Sequence, residues 1–486
     1  MKNRREFLKQ TLLTAGVTLT GCKMKNQNIA NTIDRRPNIL YIMTDQQCAS
    51  AMSCAGNPDL KTPAMDSIAA EGVMFEKAYC TQPVCVPSRV SMFTGKMPHE
   101  TEVTYNTEDY GLSPKNGIIG KIMNEAGYDC GYAGKWHVTI PPRDIDLHGF
   151  ETIFTTVPKG QRLLHGFGEQ TEAADHSDFQ IPEFTGKFLD RRREKPYFLF
   201  VSFTNPHDIC QWARGDSLPN GDIGEAPEAE KCPLLPDNFE IPKDEPSIIR
   251  THKSQSPKMY PSGDWQDDKW RQYRWAYYRC TELIDSLIEK VLKQARGIES
   301  TRETVIIFTS DHGDGNAAHK WNQKMVLYEE PARIPLIITT QNKKLKNTKD
   351  STHLVSNGLD LIPTICDYAQ TSPPQDLRGL SLKDIVQKGS TEKWRDYVVC
   401  ETDLHHKYGQ PDGNLGRMLR TDNYKYIIYS NGRGREQLFN MSIDPGEKLN
   451  LAQDKKYRSE LQRHRGLLKE WCKETNDTDF ISCIPE

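Results

Sequence analysis

The stretch "PNILYIMTD" (residues 37–45) decides the fold. Its centre, residues 39–43, is apolar without a break, and the stretch ends at the charged residue Asp45. An uninterrupted apolar run of this length is typical of a parallel β-strand that is buried on both faces of a sheet. Four further runs have the same character, at residues 128–134, 197–203, 304–310 and 334–340.

Between these runs lie segments whose apolar residues recur every three or four positions, as in amphipathic helices, at residues 63–72, 115–127 and 270–297. Strands that alternate with helices predict an α/β fold with a mixed, mostly parallel sheet sandwiched by helices. Ligands of such sheets bind at the carboxyl ends of the strands. We therefore expect the polar residues at the ends of the first four runs to lie together, namely Asp45, Lys135, His207 and Asp311.

The pattern changes after residue 388, where short alternating segments are followed by a helical segment at about 457–475. This predicts a main domain over residues 37–388 and a smaller C-terminal α+β subdomain over residues 389–486, built from an antiparallel sheet and a helix. Residues 216–264 are rich in Pro and in charged residues with little periodicity. We expect a surface excursion there that shapes the rim of a pocket.

Residues 1–22 combine a basic head, a short apolar stretch and small residues before Cys22, which is typical of an export signal. Arg4 and Arg5 resemble a twin-arginine signal, and "LTGC" (19–22) resembles a lipobox in which Cys22 is acylated. Residues 23–36 would then be a tether, and the protein a periplasmic or cell-surface bacterial lipoprotein that meets the membrane only through its lipid anchor. The alternative is a disordered leader without a role.

Composition excludes several classes of protein. The chain has 486 residues, 36% of them hydrophobic, and a formal net charge of -3, so it can form a large core and has no basic excess for binding nucleic acid. Its 13 cysteines are an odd number, which rules out complete pairing, and none forms a C-x-x-C pair of the kind that binds structural zinc. Most are expected to be buried thiols.

The segment "CVPSRVSMFTG" (85–95) predicts a helix that begins near Cys85, with Pro87 in its first turn. Proline has no backbone N–H, and in the first turn its absence breaks no helical hydrogen bond. The backbone N–H groups of that turn favour an anion at Cys85. Arg89 lies one turn along on the same face. The segment therefore predicts an anion cradle.

This segment resembles the signature of the sulfatase family, C-x-P-S-R followed by T-G. Other family motifs follow in family order, as similar stretches at residues 36–47 ("RPNILYIMTDQQ"), 134–137 ("GKWH"), 197–207, 309–338 and 438–452. The resemblance implies an alkaline-phosphatase-like fold and hydrolysis of sulfate esters. It also implies that Cys85 is oxidised to formylglycine by a formylglycine-generating or anaerobic sulfatase-maturating enzyme, and that the hydrated aldehyde is the nucleophile.

The resemblance further implies one divalent cation, expected to be Ca²⁺, held by residue 85 and by Asp45, Gln46, Asp311 and His312. Many members have a second aspartate in place of Gln46 and an asparagine in place of His312. The first replacement lowers the negative charge of the site, and the second exchanges an amide oxygen for an imidazole nitrogen.

The resemblance implies that Lys135 is an active-site lysine and that Lys324 is the sulfate-binding lysine, and Arg89 adds a third fixed positive charge. A sulfate ester carries charged oxygens that repel a nucleophile, so fixed positive charge at these positions has a physical reason. The resemblance assigns protonation of the leaving group to His207, alone or with Lys324, and the role of base to His137. His319 lies in the same motif block, and the sequence leaves open whether it reaches the pocket.

For the substrate, His405, His406 and Arg433 in the C-terminal subdomain are candidates for contacting a sugar, and the alternative is a solvated loop. Carbohydrate sulfates, such as glycosaminoglycan fragments, are the expected substrates.

Three alternatives to a sulfatase remain open at this stage. A phosphonate or phosphate diester hydrolase can use the same formylglycine machinery. A surface glycan-binding lipoprotein would leave Cys85 unmodified. A plain cysteine hydrolase is the weakest of the three, since spacing places no general base beside Cys85.

Overall fold

A computed structural model describes residues 34–107, 117–142, 144–154, 178–298, 302–340, 345–405 and 413–486. In it, the opening stretch forms the central strand β1, Asn38–Asp45, and all eight residues are buried. Ile39 and Tyr41 point into one hydrophobic cluster, whereas Leu40 and Ile42 point into another on the opposite face. This burial on both faces explains why the strand is apolar without alternation.

Within the described ranges, the main sheet has eight strands in the order β5-β4-β6-β1-β7-β8-β2-β9. Their bounds are Asn38–Asp45 (β1), Gly72–Phe75 (β2), Asp129–Gly134 (β4), Glu151–Phe154 (β5), Tyr197–Pro206 (β6), Thr304–Ser310 (β7), Leu336–Thr339 (β8) and Thr348–Asp350 (β9). Strands β5, β4, β6, β1 and β7 are parallel neighbours, and β8 runs antiparallel to both of its neighbours. The predicted mixed, mostly parallel sheet is confirmed. A separate pair is formed by Ala78–Tyr79 (β3) and Val355–Ser356 (β10).

Helices cover both faces of this sheet. The first twelve are Pro63–Glu71 (α1), Cys85–Thr94 (α2), Pro98–Thr101 (α3), Ile119–Glu125 (α4), Ile145–His148 (α5), Ile181–Leu189 (α6), Ile209–Arg214 (α7), Ser247–Gln255 (α8), Asp267–Gly297 (α9), Glu329–Ala332 (α10), Asn357–Tyr368 (α11) and Lys383–Lys388 (α12). Apolar residues of α2 and α11 pack on one face, and those of α1, α6 and α9 on the other. The three helical segments predicted from periodicity correspond to α1, α4 and α9.

The C-terminal region forms a four-stranded antiparallel sheet in the order β11-β12-β13-β14, and two helices follow it. The elements are Tyr397–Asp403 (β11), Leu415–Thr421 (β12), Tyr424–Tyr429 (β13), Glu436–Asn440 (β14), Arg458–Thr475 (α13) and Thr478–Ile481 (α14). Leu419 and Ile428 pack with Leu468 and Trp471 of α13, whereas Met418 faces the core of the main sheet. The predicted sheet and helix are confirmed, and the predicted boundary at residue 388 stays a prediction.

The excursion at residues 216–264 contains the helix α8, which the sequence did not predict. The excursion as a whole packs on the loop at residues 316–325. Tyr260 donates its hydroxyl to the carbonyl of Lys324 at 3.1 Å, and Ser262 donates to the side chain of Asn322 at 2.5 Å. The excursion therefore supports the loop that carries Lys324.

The twelve cysteines in the described part of the chain are free thiols, and most are buried. Among the helices in the described ranges, none has both the length and the apolar character needed to cross a bilayer. The predicted signal at residues 1–22, with Cys22, and nearly all of the predicted tether lie outside the described residues.

His99 links α3 to the C-terminal region. Its Nδ1 bonds to the carboxylate of Glu401, and its Nε2 lies 3.1 Å from the carbonyl oxygen of Thr475. Burial disfavours the charged ring, but the Glu401 carboxylate outweighs burial and raises the pKa of His99 to about 9. A histidine whose pKa is raised on folding adds stability below its unfolded pKa and loses that contribution as pH rises through the folded pKa.

We therefore predict that His99→Gln lowers the free energy of unfolding most at about pH 6, and that the difference from wild type shrinks as pH approaches about 9 to 10. Urea unfolding over a pH series measures this difference. Glu401→Gln is the control and should abolish the same pH-dependent increment. A difference that stays constant with pH, or that grows as pH rises, would contradict the assignment.

Candidate active site

The carboxyl ends of four neighbouring parallel strands meet at one edge of the main sheet. Asp45 ends β1, Lys135 follows β4, His207 follows β6, and Asp311 follows β7. Helix α2 begins at Cys85 at the same edge, with Pro87 in its first turn as predicted. The structure thus brings the residues at the predicted strand ends to the N-terminus of α2.

Cys85 is fully buried among polar side chains. Its Sγ lies 2.9 Å from Lys324 Nζ, 3.2 Å from His312 Nε2 and 3.7 Å from Asp45 Oδ1. Lys135 Nζ is 4.0 Å away. One backbone donor of the helix terminus is already used, since Val86 N–H donates to Asn106 Oδ1 at 3.0 Å. The anion cradle therefore depends on the basic side chains more than the sequence suggested.

Arg89 joins the two carboxylates of the site. Its Nη2 donates to Asp45 Oδ2 and its Nε to Asp311 Oδ2, both at 2.8 Å. Its Nη1 donates to the carbonyl of Lys135 at 2.9 Å and to Ser202 Oγ at 3.0 Å. All of these side chains are buried, so the guanidinium fixes the relative positions of three strand ends.

Two lysines complete the set of cations. Lys135 Nζ donates to Asp45 Oδ2 at 2.6 Å. Lys324 Nζ lies 2.9 Å from Gln46 Oε1, in addition to its contact with Cys85 Sγ. Burial opposes the charge of Lys324, but the neighbouring Cys85 and Asp45 outweigh it and raise its pKa.

The ionisation of Asp45 and Cys85 follows from these contacts. Burial disfavours the Asp45 carboxylate, but Lys135, His207, Arg89 and Lys324 hold its pKa well below the usual range. Burial and Asp45 also disfavour a thiolate at Cys85, and the surrounding cations outweigh them and lower its pKa. The site therefore stabilises negative charge at residue 85.

The donor set fits a divalent cation. Asp45, Cys85, Asp311 and His312 each offer a potential ligand atom, and these atoms lie within 4.8 Å of one another. His312 Nδ1 lies 2.9 Å from the carbonyl of Gly313. With the proton on Nδ1, the lone pair of Nε2 faces the carboxylates. A pair of carboxylate oxygens with an imidazole nitrogen suits several divalent ions.

Gln46 adds an amide oxygen to this group. Its backbone has a φ of 69°, and its N–H donates to Asp311 Oδ1 at 3.1 Å. Its Nε2 donates to Asp314 Oδ2 at 2.8 Å, which turns Oε1 toward Lys324. Asp314 in turn accepts the Tyr273 hydroxyl. Sequence reasoning missed Asp314, although it stands only three residues after Asp311 in "DHGDG".

The two candidate proton-transfer residues lie at neighbouring strand ends. His137 follows β4, is buried, and has a φ of 49°. His207 follows β6, is half-buried, and is close enough to Asp45 to help lower its pKa. Both residues follow parallel strands at the edge of the sheet where Asp45 and Asp311 lie, and their roles in proton transfer stay a prediction.

The predicted sugar-contacting residues lie on different segments of the C-terminal region. His405 follows β11 and is buried. Its ring centroid lies 6.1 Å from that of Tyr105, the residue before Asn106 in the sequence. Arg433 lies exposed in the turn between β13 and β14, where its backbone bonds to Ser247 of α8. His406 lies outside the described residues.

His319 is buried beside Tyr328 with Glu330 and Glu447, in a group different from the one around Cys85.

Comparison with known proteins settles the family. A family model described as "Sulfatase" matches residues 37–371, which is more than half of the chain, and one described as "N-sulphoglucosamine sulphohydrolase, C-terminal" matches residues 317–474. The chain belongs to the sulfatase family. It is therefore a sulfuric ester hydrolase, with an α/β sheet and a C-terminal antiparallel sheet as the resemblance implied.

Several individual proteins resemble it over nearly their whole length. A Delta 4,5-hexuronate-2-O-sulfatase of Bacteroides thetaiotaomicron is 29% identical over 466 residues, covering 91% of this chain and 90% of that protein. A solved structure in complex with its substrate D-glucosamine-2-N,6-O-disulfate is 25% identical, with a TM-score of 0.71 over 91% of this chain and 99% of that chain. A phosphonate monoester hydrolase of Agrobacterium radiobacter shares the fold at 20% identity, with a TM-score of 0.69 over 90% of this chain and 96% of that chain.

Arg89→Met should destabilise the sulfatase by about 3 to 5 kcal/mol, because removing one partner leaves two buried carboxylates short of positive charge. Urea unfolding in the presence of a chelator measures the loss. The control is Arg435→Met, which removes a half-buried arginine bonded to the carbonyl of Tyr429 and should cost about 1 kcal/mol. Equal losses for the two variants would show that the bridge does not organise the site.

Proposed function

We propose that this sulfatase hydrolyses sulfate esters of carbohydrates, with a formylglycine made from Cys85 as nucleophile and a bound Ca²⁺ ion. The observation that carries the proposal is the charge at residue 85. Arg89, Lys135 and Lys324 face the carboxylates of Asp45 and Asp311, and all five side chains are buried. Three cations against two anions leave an excess of positive charge at the start of α2, which suits an anionic group.

The residues that would hold the ion are Asp45, Gln46, Asp311 and His312, together with residue 85. When bound, a divalent ion withdraws charge from the sulfate oxygens and favours the deprotonated nucleophile. Oxygen donors from two carboxylates and one amide support Ca²⁺. The hydrated aldehyde would provide two hydroxyl groups, one for attack on sulfur and one whose deprotonation releases sulfate.

The chain's own residues supply orientation and proton transfer. Lys135 and Lys324 are fixed by Asp45 and Gln46, so they can bind sulfate oxygens without reorganising. We assign protonation of the leaving alcohol oxygen to His207, whose half-buried position at the end of β6 lies toward solvent. We assign to His137, at the end of the neighbouring strand β4, removal of the proton that accompanies sulfate release.

A carbohydrate substrate is supported by the relatives and by the position of β11. A uronate sulfatase and a protein bound to sulfated glucosamine both resemble the chain over about nine-tenths of its length. His405 follows β11, and its ring lies beside that of Tyr105. Asn106, the next residue after Tyr105, accepts the N–H of Val86 in the first turn of α2. Rings at this position could contact the sugar next to the sulfated oxygen.

The proposal includes export and maturation. The basic head, apolar stretch and "LTGC" sequence at residues 1–22 support a periplasmic or surface lipoprotein anchored through Cys22. A formylglycine-generating or anaerobic sulfatase-maturating enzyme is the partner required to convert Cys85.

The substrate class is tested by a screen of defined sulfated mono- and disaccharides, with release of inorganic sulfate as the readout. Matched phosphorylated sugars form the second arm of the screen. The proposal predicts faster cleavage of at least one sulfated sugar than of its phosphorylated counterpart. Faster cleavage of the phosphoesters would instead support a phosphoester hydrolase on the same scaffold.

Cys85→Ala should reduce kcat by at least about 1000-fold because it removes the nucleophile, while the circular dichroism spectrum and Tm stay close to wild type. Cys54→Ala is the matched control, since Cys54 is half-buried and bonds through its backbone to Asp66. Sulfate release from a saturating sulfated sugar gives kcat for each variant. Near-normal turnover by Cys85→Ala would refute the nucleophile assignment.

His405→Ala should raise KM for a sulfated sugar by about 10-fold and change kcat less, because it removes a contact with the non-reacting part of the substrate. His353→Ala serves as the control, since His353 pairs with Asp350 and lies outside the cluster around Cys85. Steady-state kinetics with one sugar separates the two parameters. An unchanged KM together with a large loss of kcat would place His405 in the chemistry instead.

A further inference from the structure

A second group of potential metal ligands lies outside the group around Cys85. His319 lies in the loop after β7, Glu330 in the short helix α10, and Glu447 in the segment between β14 and α13. One potential ligand atom from each residue lies within 4.8 Å of the others. His319 and Glu447 are fully buried, whereas Glu330 is half-buried with its Oε2 atom buried.

Two acceptor atoms of this group have no hydrogen-bond donor among the residues that the structure describes. His319 Nδ1 lies 3.4 Å from the carbonyl oxygen of Glu240, so the ring donates there, and its buried Nε2 is left with a lone pair and no partner. Glu330 Oε1 accepts from Asn238 Nδ2 at 2.9 Å, whereas its buried Oε2 has no partner. Buried acceptors without donors are costly and uncommon in native proteins.

Glu447, the third residue of the group, has hydrogen-bond donors of its own. These donors do not bond to His319 Nε2 or to Glu330 Oε2. Its Oε2 accepts the backbone N–H of Glu329 at 2.7 Å, and its Oε1 lies 2.8 Å from Lys425 Nζ. Lys425 also lies 3.1 Å from Glu329 Oε1, so its charge is shared between two carboxylates. Within the described part of the chain, His319 Nε2 and Glu330 Oε2 still make no hydrogen bond, although the charge of Lys425 also acts on Glu330.

We propose that His319, Glu330 and Glu447 bind a second divalent ion of the Zn²⁺ type. One imidazole nitrogen and two carboxylates are a common ligand set for zinc and its neighbours in the first transition row, whereas Ca²⁺ prefers oxygen ligands alone. The cation supplies the missing partner to both orphaned atoms. Each ligand also has an outer partner that orients it, namely the Glu240 carbonyl, Asn238 and the Glu329 N–H.

The position of the ion suggests its role. It would join three segments that are far apart in sequence, namely the loop that carries Lys324, the helix α10 and the C-terminal region. Burial lowers the pKa of His319 to about 3, so the ring is neutral, as a metal ligand must be. The ion is therefore structural, and the site does not depend on the reaction at Cys85.

The test is the number of zinc ions bound by the full-length protein after chelation and equilibrium dialysis against Zn²⁺, measured by inductively coupled plasma mass spectrometry. Glu330→Gln should bind one ion fewer per chain than wild type and should lose the rise in Tm that Zn²⁺ produces. Glu240→Gln is the matched control, since the Glu240 carboxylate is exposed and only its backbone carbonyl contacts His319. Equal zinc content in wild type and Glu330→Gln would overturn the proposal.

A second measurement does not depend on the folding of the variant. Crystals of the wild-type protein soaked in Zn²⁺ should show an anomalous difference peak between His319 Nε2 and Glu330 Oε2. Density for Lys425 or a water molecule at that point, without anomalous signal, would show that the acceptors are satisfied in another way and would also overturn the proposal.

Discussion

The guanidinium of Arg89 is the interaction on which the site depends. It binds one oxygen of Asp45 and one of Asp311 and also contacts the segment after β4 and Ser202 of β6. The second oxygen of each carboxylate is thereby left facing His312. A buried arginine with two carboxylates is stable only if every hydrogen bond is made. The parallel sheet meets this condition, because it delivers all of these groups to one edge.

This arrangement explains how a buried site can accept a charged ester. The site does not rely on water to screen the charge, since its cations are held by carboxylates and amides before substrate arrives. Such preorganised charge costs no reorganisation when negative charge develops during reaction. Gln46 and Asp314 extend the same principle, because the carboxylate of Asp314 fixes the amide whose oxygen meets Lys324. As a consequence, the site is a cluster of buried charged side chains, which by itself contributes little to the free energy of folding.

Much of the fold and the catalytic edge could be predicted from sequence. Strands buried on both faces appear as apolar runs, and the residues after them must meet at one edge, which placed Asp45, Lys135 and Asp311 correctly. The direction of β8 was not predictable, because a buried run has the same pattern in either orientation. Helix α8 was missed because its buried face is short, and most of its residues are polar. Asp314 and the neighbourhood of His405 depend on contacts between distant segments, which periodicity does not reveal.

The proposed reaction requires that Cys85 is converted to an aldehyde beside the fixed positive charge of Arg89, Lys135 and Lys324. Mass spectrometry of the proteolytic peptide that contains Cys85, from protein matured in its native host, detects this conversion. Conversion of Cys85 predicts a peptide that is lighter than the unmodified sequence by the mass difference between a thiol and an aldehyde side chain, and that reacts with hydrazine reagents. A peptide of unmodified mass that alkylates fully as a thiol would contradict it.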